Sequence, residues 1–106
     1  MTKRPRTNET ALSRSIRSAL EKLGYWVERI QSGQVKVGQN FVHCASPGTP
    51  DLLVIAERPT WLEVKTPGAR LRPAQSDWHR RAANKGVRVA TVRSVAEALE
   101  AVRGNG

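Results

Sequence analysis

The sequence has a single cysteine, Cys44, in 106 residues. Neither an internal disulfide nor a thiolate zinc cluster can be assembled from one thiol in one chain, and a reducing cytoplasm fits that composition. Cys44 reads as a small hydrophobe near a strand end, because no motif marks it as a nucleophile. Aromatic residues are scarce at 5%, and acidic residues number 9 against 18 Lys and Arg. The shortage of acids leaves a formal charge of +9 at pH 7, which favours polyanionic partners, nucleic acid first. A basic balance that serves only solubility is the competing explanation. No run approaches the ~20 apolar residues of a membrane span, and the N-terminal MTKRPRTNET has no apolar leader, so a soluble protein is expected. Repeats and low-complexity tracts are also missing.

Apolar residues at 39% and charged residues at 25% make a globular composition, and this length suits one domain with one modest core. A single domain over residues 1–106 is expected, with residues 1–7 as a flexible basic arm whose Lys3, Arg4 and Arg6 can touch phosphates. From Glu9, the positions Leu12, Ile16, Ala19, Leu20 and Leu23 recur at helical spacing, with Thr7 or Asn8 as N-cap and Gly24 as stop. Tyr25 to Ile30 has the aromatic and β-branched content of a strand, and Gln31-Ser32-Gly33 that of a turn. The stretch through Phe41 and Val42 reads either as a short hairpin or as an irregular loop around Gly38.

After Ser46-Pro47-Gly48-Thr49-Pro50, the apolar run Leu52 to Ala56 predicts a strand buried on both faces, with Asp51 at its entrance. Arg58-Pro59 breaks the run, and Trp61 to Lys65 resumes as an antiparallel neighbour. The two-residue strand period puts Glu63 and Lys65 on one face, with Leu62 and Val64 on the other. Pro73 opens a helix ending near Lys85, before Gly86. Val87 to Val92 is a further strand, and Ser94-Val95-Ala96-Glu97 is a capping-box pattern starting a last helix through Val102. The order implies an α/β fold, a mixed sheet with helices packed on it.

Glu63 and Lys65 are charges within apolar strand sequence, where burial is expensive. A divalent metal would resolve that cost. Asp51 and Glu63 offer hard oxygen ligands suited to Mg²⁺ or Mn²⁺, and Lys65 beside them can orient a water or neutralise a phosphate. The chemistry suggested is phosphodiester hydrolysis without a covalent enzyme intermediate. A Pro-Asp pair and a Glu-x-Lys triplet are each common by chance, so an ordinary exposed Glu/Lys strand face stays open as the alternative.

Pro47-Gly48-Thr49-Pro50-Asp51-Leu52, then Trp61-Leu62-Glu63-Val64-Lys65-Thr66-Pro67-Gly68 and Pro73-Ala74-Gln75, together resemble the VRR-NUC family of the PD-(D/E)XK nuclease superfamily. The likeness covers nearly the whole chain, including the opening helix and Arg29-Ile30-Gln31-Ser32-Gly33. The resemblance implies a restriction-endonuclease-like core and a metal-dependent DNA endonuclease. Asp51 and Glu63 would hold Mg²⁺ or Mn²⁺ with the carbonyl of Val64, Lys65 would act on the water or phosphate, and Gln75 would support the site. Glu9 corresponds to the acidic residue of the family's first helix, where it would hold a water or a second metal; Glu21, on the same helix, is the other choice. Stand-alone members of this family are minimal and dimeric, like junction resolvases. A homodimer cutting branched DNA such as four-way junctions is therefore expected, in a bacterial or phage context of replication and repair.

Other residues have two readings. His43 and His79 lie in no motif and are left without a role. Trp78 can stack on a base, but helical spacing with Ala74 and Ala82 favours packing. Arg70, Arg72, Arg80, Arg81 and Lys85 form either a phosphate-contacting surface or a solvated basic face, with no sign of base-specific readout. Two alternatives to the junction nuclease stand: a non-catalytic basic nucleic-acid-binding module, and a restriction-type endonuclease with a sequence preference.

Overall fold

The computed structural model describes residues 7–30, 34–43 and 45–104. The expectations for the arm at 1–6, the turn at 31–33 and Cys44 lie outside the described residues. The spacing of Leu12, Ile16 and Leu20 produces helix α1, Thr7–Lys22, in which Ile16 and Leu20 are fully buried and Leu12 packs alongside. The helix begins two residues before the expected start and absorbs Thr7 from the arm. It ends in a Schellman arrangement: Gly24 has a positive φ of 93°, its N–H donates to the Glu21 carbonyl at 2.9 Å, and the Tyr25 N–H donates to the Leu20 carbonyl at 3.0 Å. Leu23 falls past the helical end and is exposed, so it leaves the apolar stripe assigned to it.

Strands β1 (Trp26–Arg29), β4 (Leu52–Ile55), β5 (Thr60–Val64) and β6 (Arg88–Val92) form one sheet in the order β1-β4-β5-β6. The first two pairings are antiparallel and the third is parallel. A parallel return needs a crossover, supplied by helix α2, Pro73–Asn84. The stretch left open between hairpin and loop is a hairpin, β2 (Gln34–Val37) with β3 (Asn40–His43), turning at Gly38. Helix α3, Val95–Arg103, starts where the Ser94 hydroxyl accepts from the Glu97 N–H at 3.1 Å. Glu97 completes the cap one residue earlier than expected, accepting from the Arg93 N–H at 2.8 Å.

One sheet face carries Val27, Leu52, Val54, Leu62, Val64 and Val92, which close the core against Ile16 and Leu20 of α1 and Ala98 of α3. Each buried aliphatic side chain contributes about 1.5–3 kcal/mol of transfer free energy, so tertiary packing more than helix propensity holds α1 in place. On the other face, α2 covers β6 and the Trp61 side of β5, where Trp61 and Trp78 meet edge to face at 5.1 Å between centroids. That fits the packing role read for Trp78. The run of β4 is buried on one face only: Leu52 and Val54 are enclosed, while Leu53 and Ile55 are half-buried, because α2 lies over the opposite half of the sheet. No described helix is long and apolar enough to cross a membrane.

Candidate active site

The segment before β4 is pinned by local chemistry. The Thr49 hydroxyl and N–H both donate to the Ser46 carbonyl, at 2.7 and 3.1 Å. Pro50 is buried. Gly48 has a φ of 89°, and a Cβ there would run into the backbone of Ala74, with Gln75 N 3.0 Å away. The loop therefore lies directly on the first turn of α2 and delivers Asp51 to the start of β4. Gly48→Ala combines left-handed strain with a backbone clash, and is expected to lower stability by about 2–4 kcal/mol. Denaturant unfolding of the variant checks this; a change under about 0.5 kcal/mol would show that the close approach carries no constraint.

The Asp51 carbonyl accepts from the Ile30 N–H at 2.8 Å, and its carboxylate Oδ2 accepts from the Val64 N–H at 2.9 Å. One step beyond the Leu52↔Leu62 pairing, Asp51 stands opposite Glu63. Cross-strand partners share a face, so the two acids approach one another although 12 positions separate them. Among the described residues, the buried polar side chains are Thr60, Glu63, Lys65 and Gln75, and the last three converge here. Glu63 is 1% exposed and Lys65 4%. The Lys65 N–H donates to the Val92 carbonyl at 3.1 Å, which extends the parallel pairing just past β5.

Gln75 uses both ends of its amide. Its Oε1 accepts from the Arg72 N–H at 2.8 Å, and its Nε2 donates to Glu63 Oε2 at 3.3 Å. It thus ties the first turn of α2 to the buried carboxyl. His79, one helical turn further on, places Nε2 at 3.5 Å from Glu63 Oε1. Burial, and then the Lys65 charge, lower the His79 pKa, so the imidazole stays neutral around pH 7 and the contact is not an ion pair. Burial first, then the adjacent Asp51 carboxylate, push the Glu63 carboxyl up to about 8; Lys65 opposes this and Glu9 adds to it. Sequence reasoning gave His79 no role, although its four-residue spacing from Gln75 was the available signal.

An open cleft of ≈ 360 Å³ leads to Asp51 between α1 and the β1–β4 edge. Glu9, half-buried, lines it with Asp51, whereas Glu21 is paired with Arg17 at 3.2 Å near the other end of α1. Of the two helix-one acids, Glu9 is the one placed beside the carboxylate pair. The basic residues named from sequence are not gathered at this cleft. Arg80 is bonded to Asp77, Arg81 lies 3.7 Å from the same carboxylate, and Arg81 and Lys85 border a separate groove beside Trp61 and Trp78. Arg70 and Arg72 are exposed on the loop after Lys65. That loop is fastened by Arg93, whose Nη1 donates to the carbonyls of Thr66 and Ala69 at 2.9 and 2.7 Å.

Two carboxylates crowded together, one of them buried and held at high pKa, make an electrostatically incomplete site that a cation would relieve. The described residues hold no group of three or more His, Cys, Asp or Glu arranged around a metal. Two hard oxygen donors beside a backbone carbonyl are of the kind that take a divalent cation.

The profile of a family described as the VRR-NUC domain matches residues 7–96. A solved structure described as a VRR_NUC domain superposes with a TM-score of 0.65 at 24% identity, covering 92% of this chain and 97% of that one. At that identity the likeness concerns the fold. No curated protein matches the sequence.

Proposed function

This chain belongs to the VRR-NUC domain family, a family of nuclease type, and from that premise we propose that it is a divalent-metal-dependent DNA endonuclease acting on branched DNA. The observation that carries the reading is the convergence of Asp51, Glu63, Lys65 and Gln75 at one end of β4 and β5, with two of the ionisable groups inside the protein.

Asp51 and Glu63 would hold Mg²⁺ or Mn²⁺, with the carbonyl of Val64 as a further ligand. The ion would supply a water acidic enough to attack near neutral pH and positive charge against the phosphate. Lys65 orients the attacking water or neutralises a non-bridging phosphate oxygen. Gln75 fixes the rotation of the Glu63 carboxylate through its bond to Oε2, and its second bond to the α2 N-terminus makes that rotation part of the fold. Glu9, which lines the cleft with Asp51, would hold a water or a second ion. Hydrolysis forms one bond from water oxygen to phosphorus and breaks one P–O ester bond; the proton leaving the water is balanced by one reaching the departing oxygen. In a homodimer, two such sites facing opposite strands would give the paired cuts that resolve a four-way junction.

The test is cleavage of matched linear, flapped and four-way-junction DNA with Mg²⁺ or Mn²⁺, alongside Mn²⁺ titration of wild type and Asp51→Ala. Junction cutting, with Mn²⁺ binding lost in Asp51→Ala, is the expected result. DNA binding indifferent to metal and without cutting would replace this reading with a non-catalytic basic module. Cutting that tracks sequence on linear duplex would replace branch selectivity with restriction-type specificity. A strict monomer on and off DNA would remove the paired-cut scheme.

A further inference from the structure

We propose that the cleft between α1 and the β1–β4 edge is a phosphate track that holds one DNA strand on the flank of the scissile phosphodiester, gripped by Arg14 and Arg29. The assignment rests on the nuclease reading for the identity of the polyanion; the cleft itself is a separate observation.

Its lining is mixed in charge. Glu9 and Asp51 face the same ≈ 360 Å³ space to which Arg14, Arg17 and Arg29 bring three positive charges. On α1 the lining residues Glu9, Ser13 and Arg17 are spaced by four, as are Thr10 and Arg14, so a single helical face forms one wall. Arg29, the last residue of β1, closes the other side next to Ile30, which is hydrogen-bonded to Asp51. Arg17 is engaged with Glu21. Among the described residues, Arg14 and Arg29 make no ion pair, and both are exposed. On α2, by contrast, Asp77 partly neutralises Arg80 and Arg81.

Two guanidiniums without an ion pair among the described residues, in a concave space also lined by Ser13 and Thr10, are the donors that recognise successive phosphate oxygens. The same groove is also lined by Glu9 and Asp51, carboxylates that would repel a phosphate unless a cation stood between. That arrangement brings a backbone held by the arginines up to the proposed metal site. The volume lies near the lower end of the ~300–1,000 Å³ of small-molecule sites, and it admits a short length of one sugar-phosphate backbone.

The experiment is fluorescence anisotropy of a labelled single-stranded oligonucleotide with the full chain in chelator, so that no cleavage occurs, across a salt series. Each phosphate of a single strand that the protein neutralises adds about 0.7 to the steepness of log K against log salt. Arg14→Ala with Arg29→Ala is expected to flatten the slope by about 1.4, and Arg14→Lys with Arg29→Lys to retain it. Arg103→Ala removes an exposed charge at the opposite end of the sheet, where α3 ends against Arg88, and should leave the slope unchanged. In cleavage assays the double alanine variant should raise KM and spare kcat, as loss of uniform binding does. A double alanine slope equal to wild type, in protein with unaltered thermal unfolding, overturns the track whether or not the wild type cuts DNA. A wild type that never cuts, with the slope still flattened, overturns the nuclease reading and keeps the track.

Discussion

Lys65→Met is expected to reduce DNA cleavage by roughly two to three orders of magnitude, the usual cost of deleting one preorganised charged or hydrogen-bonding group that acts in the transition state. Methionine is the informative replacement because Lys65 is 4% exposed: its apolar stem keeps the packing and only the ammonium is lost. The fall should appear in kcat with little change in metal-free DNA affinity, since Lys65 is enclosed and takes no part in the open cleft. Glu63→Ala should lose activity to a similar degree by removing a proposed metal ligand. Lys65→Met protein that cuts within about fivefold of wild type would remove Lys65 from the chemistry and leave it a buried structural cation.

The metal-free protein should become less stable as pH rises from about 4.5 to about 8, the window between the ordinary and the folded-state pKa of Glu63. The sign follows from linkage. Burial and the Asp51 charge raise the folded pKa, so the folded state binds the proton more tightly than the unfolded one. The stabilisation is complete below the unfolded value and is lost as pH climbs through the folded value. For a shift of this size the effect is of order a few kcal/mol.

His79 works in the opposite sense, because its lowered pKa costs stability only as pH falls below its ordinary range. The difference between wild type and Glu63→Gln, followed by thermal unfolding in chelator, isolates the carboxyl. Saturating Mg²⁺ or Mn²⁺ should cancel the decline, since binding to the ionised pair stabilises the folded state, by about 2.7 kcal/mol at a hundred times Kd. Identical pH slopes for wild type and Glu63→Gln would mean that Glu63 is ionised throughout, and that the acid pair needs no cation.

Much of the candidate site was legible because strands have a fixed period. Glu63 and Lys65 had to share a face opposite Leu62 and Val64, and Asp51 had to enter the neighbouring strand if the break at Arg58-Pro59 was a turn. The observed register is the consequence of those two readings. Helix α2 was equally plain, with Pro73 opening it and Gly86 past its end. Less legible was anything that depended on which neighbour covers which face. Leu52 to Ala56 looked enclosed on both sides, yet α2 covers only the β5–β6 half of the sheet. The α2 cations stood open between a phosphate surface and a solvated basic face, and that Arg80 and Arg81 lie beside Asp77 became visible only in the fold.

By itself, the sequence determined the order of elements, the facing of Glu63 and Lys65, and the polyanion-seeking charge. Each of these is set by local periodicity, capping or composition, all of which act within a few residues. Only the tertiary structure decided that Gln75 and His79 close on Glu63, that Gly48 seats the Asp51 loop on α2, and that Glu9 rather than Glu21 shares a cleft with Asp51. Those relations join residues 12 to 42 positions apart across three layers. Their geometry is set by how the two faces of the sheet bury apolar area, which no local pattern records.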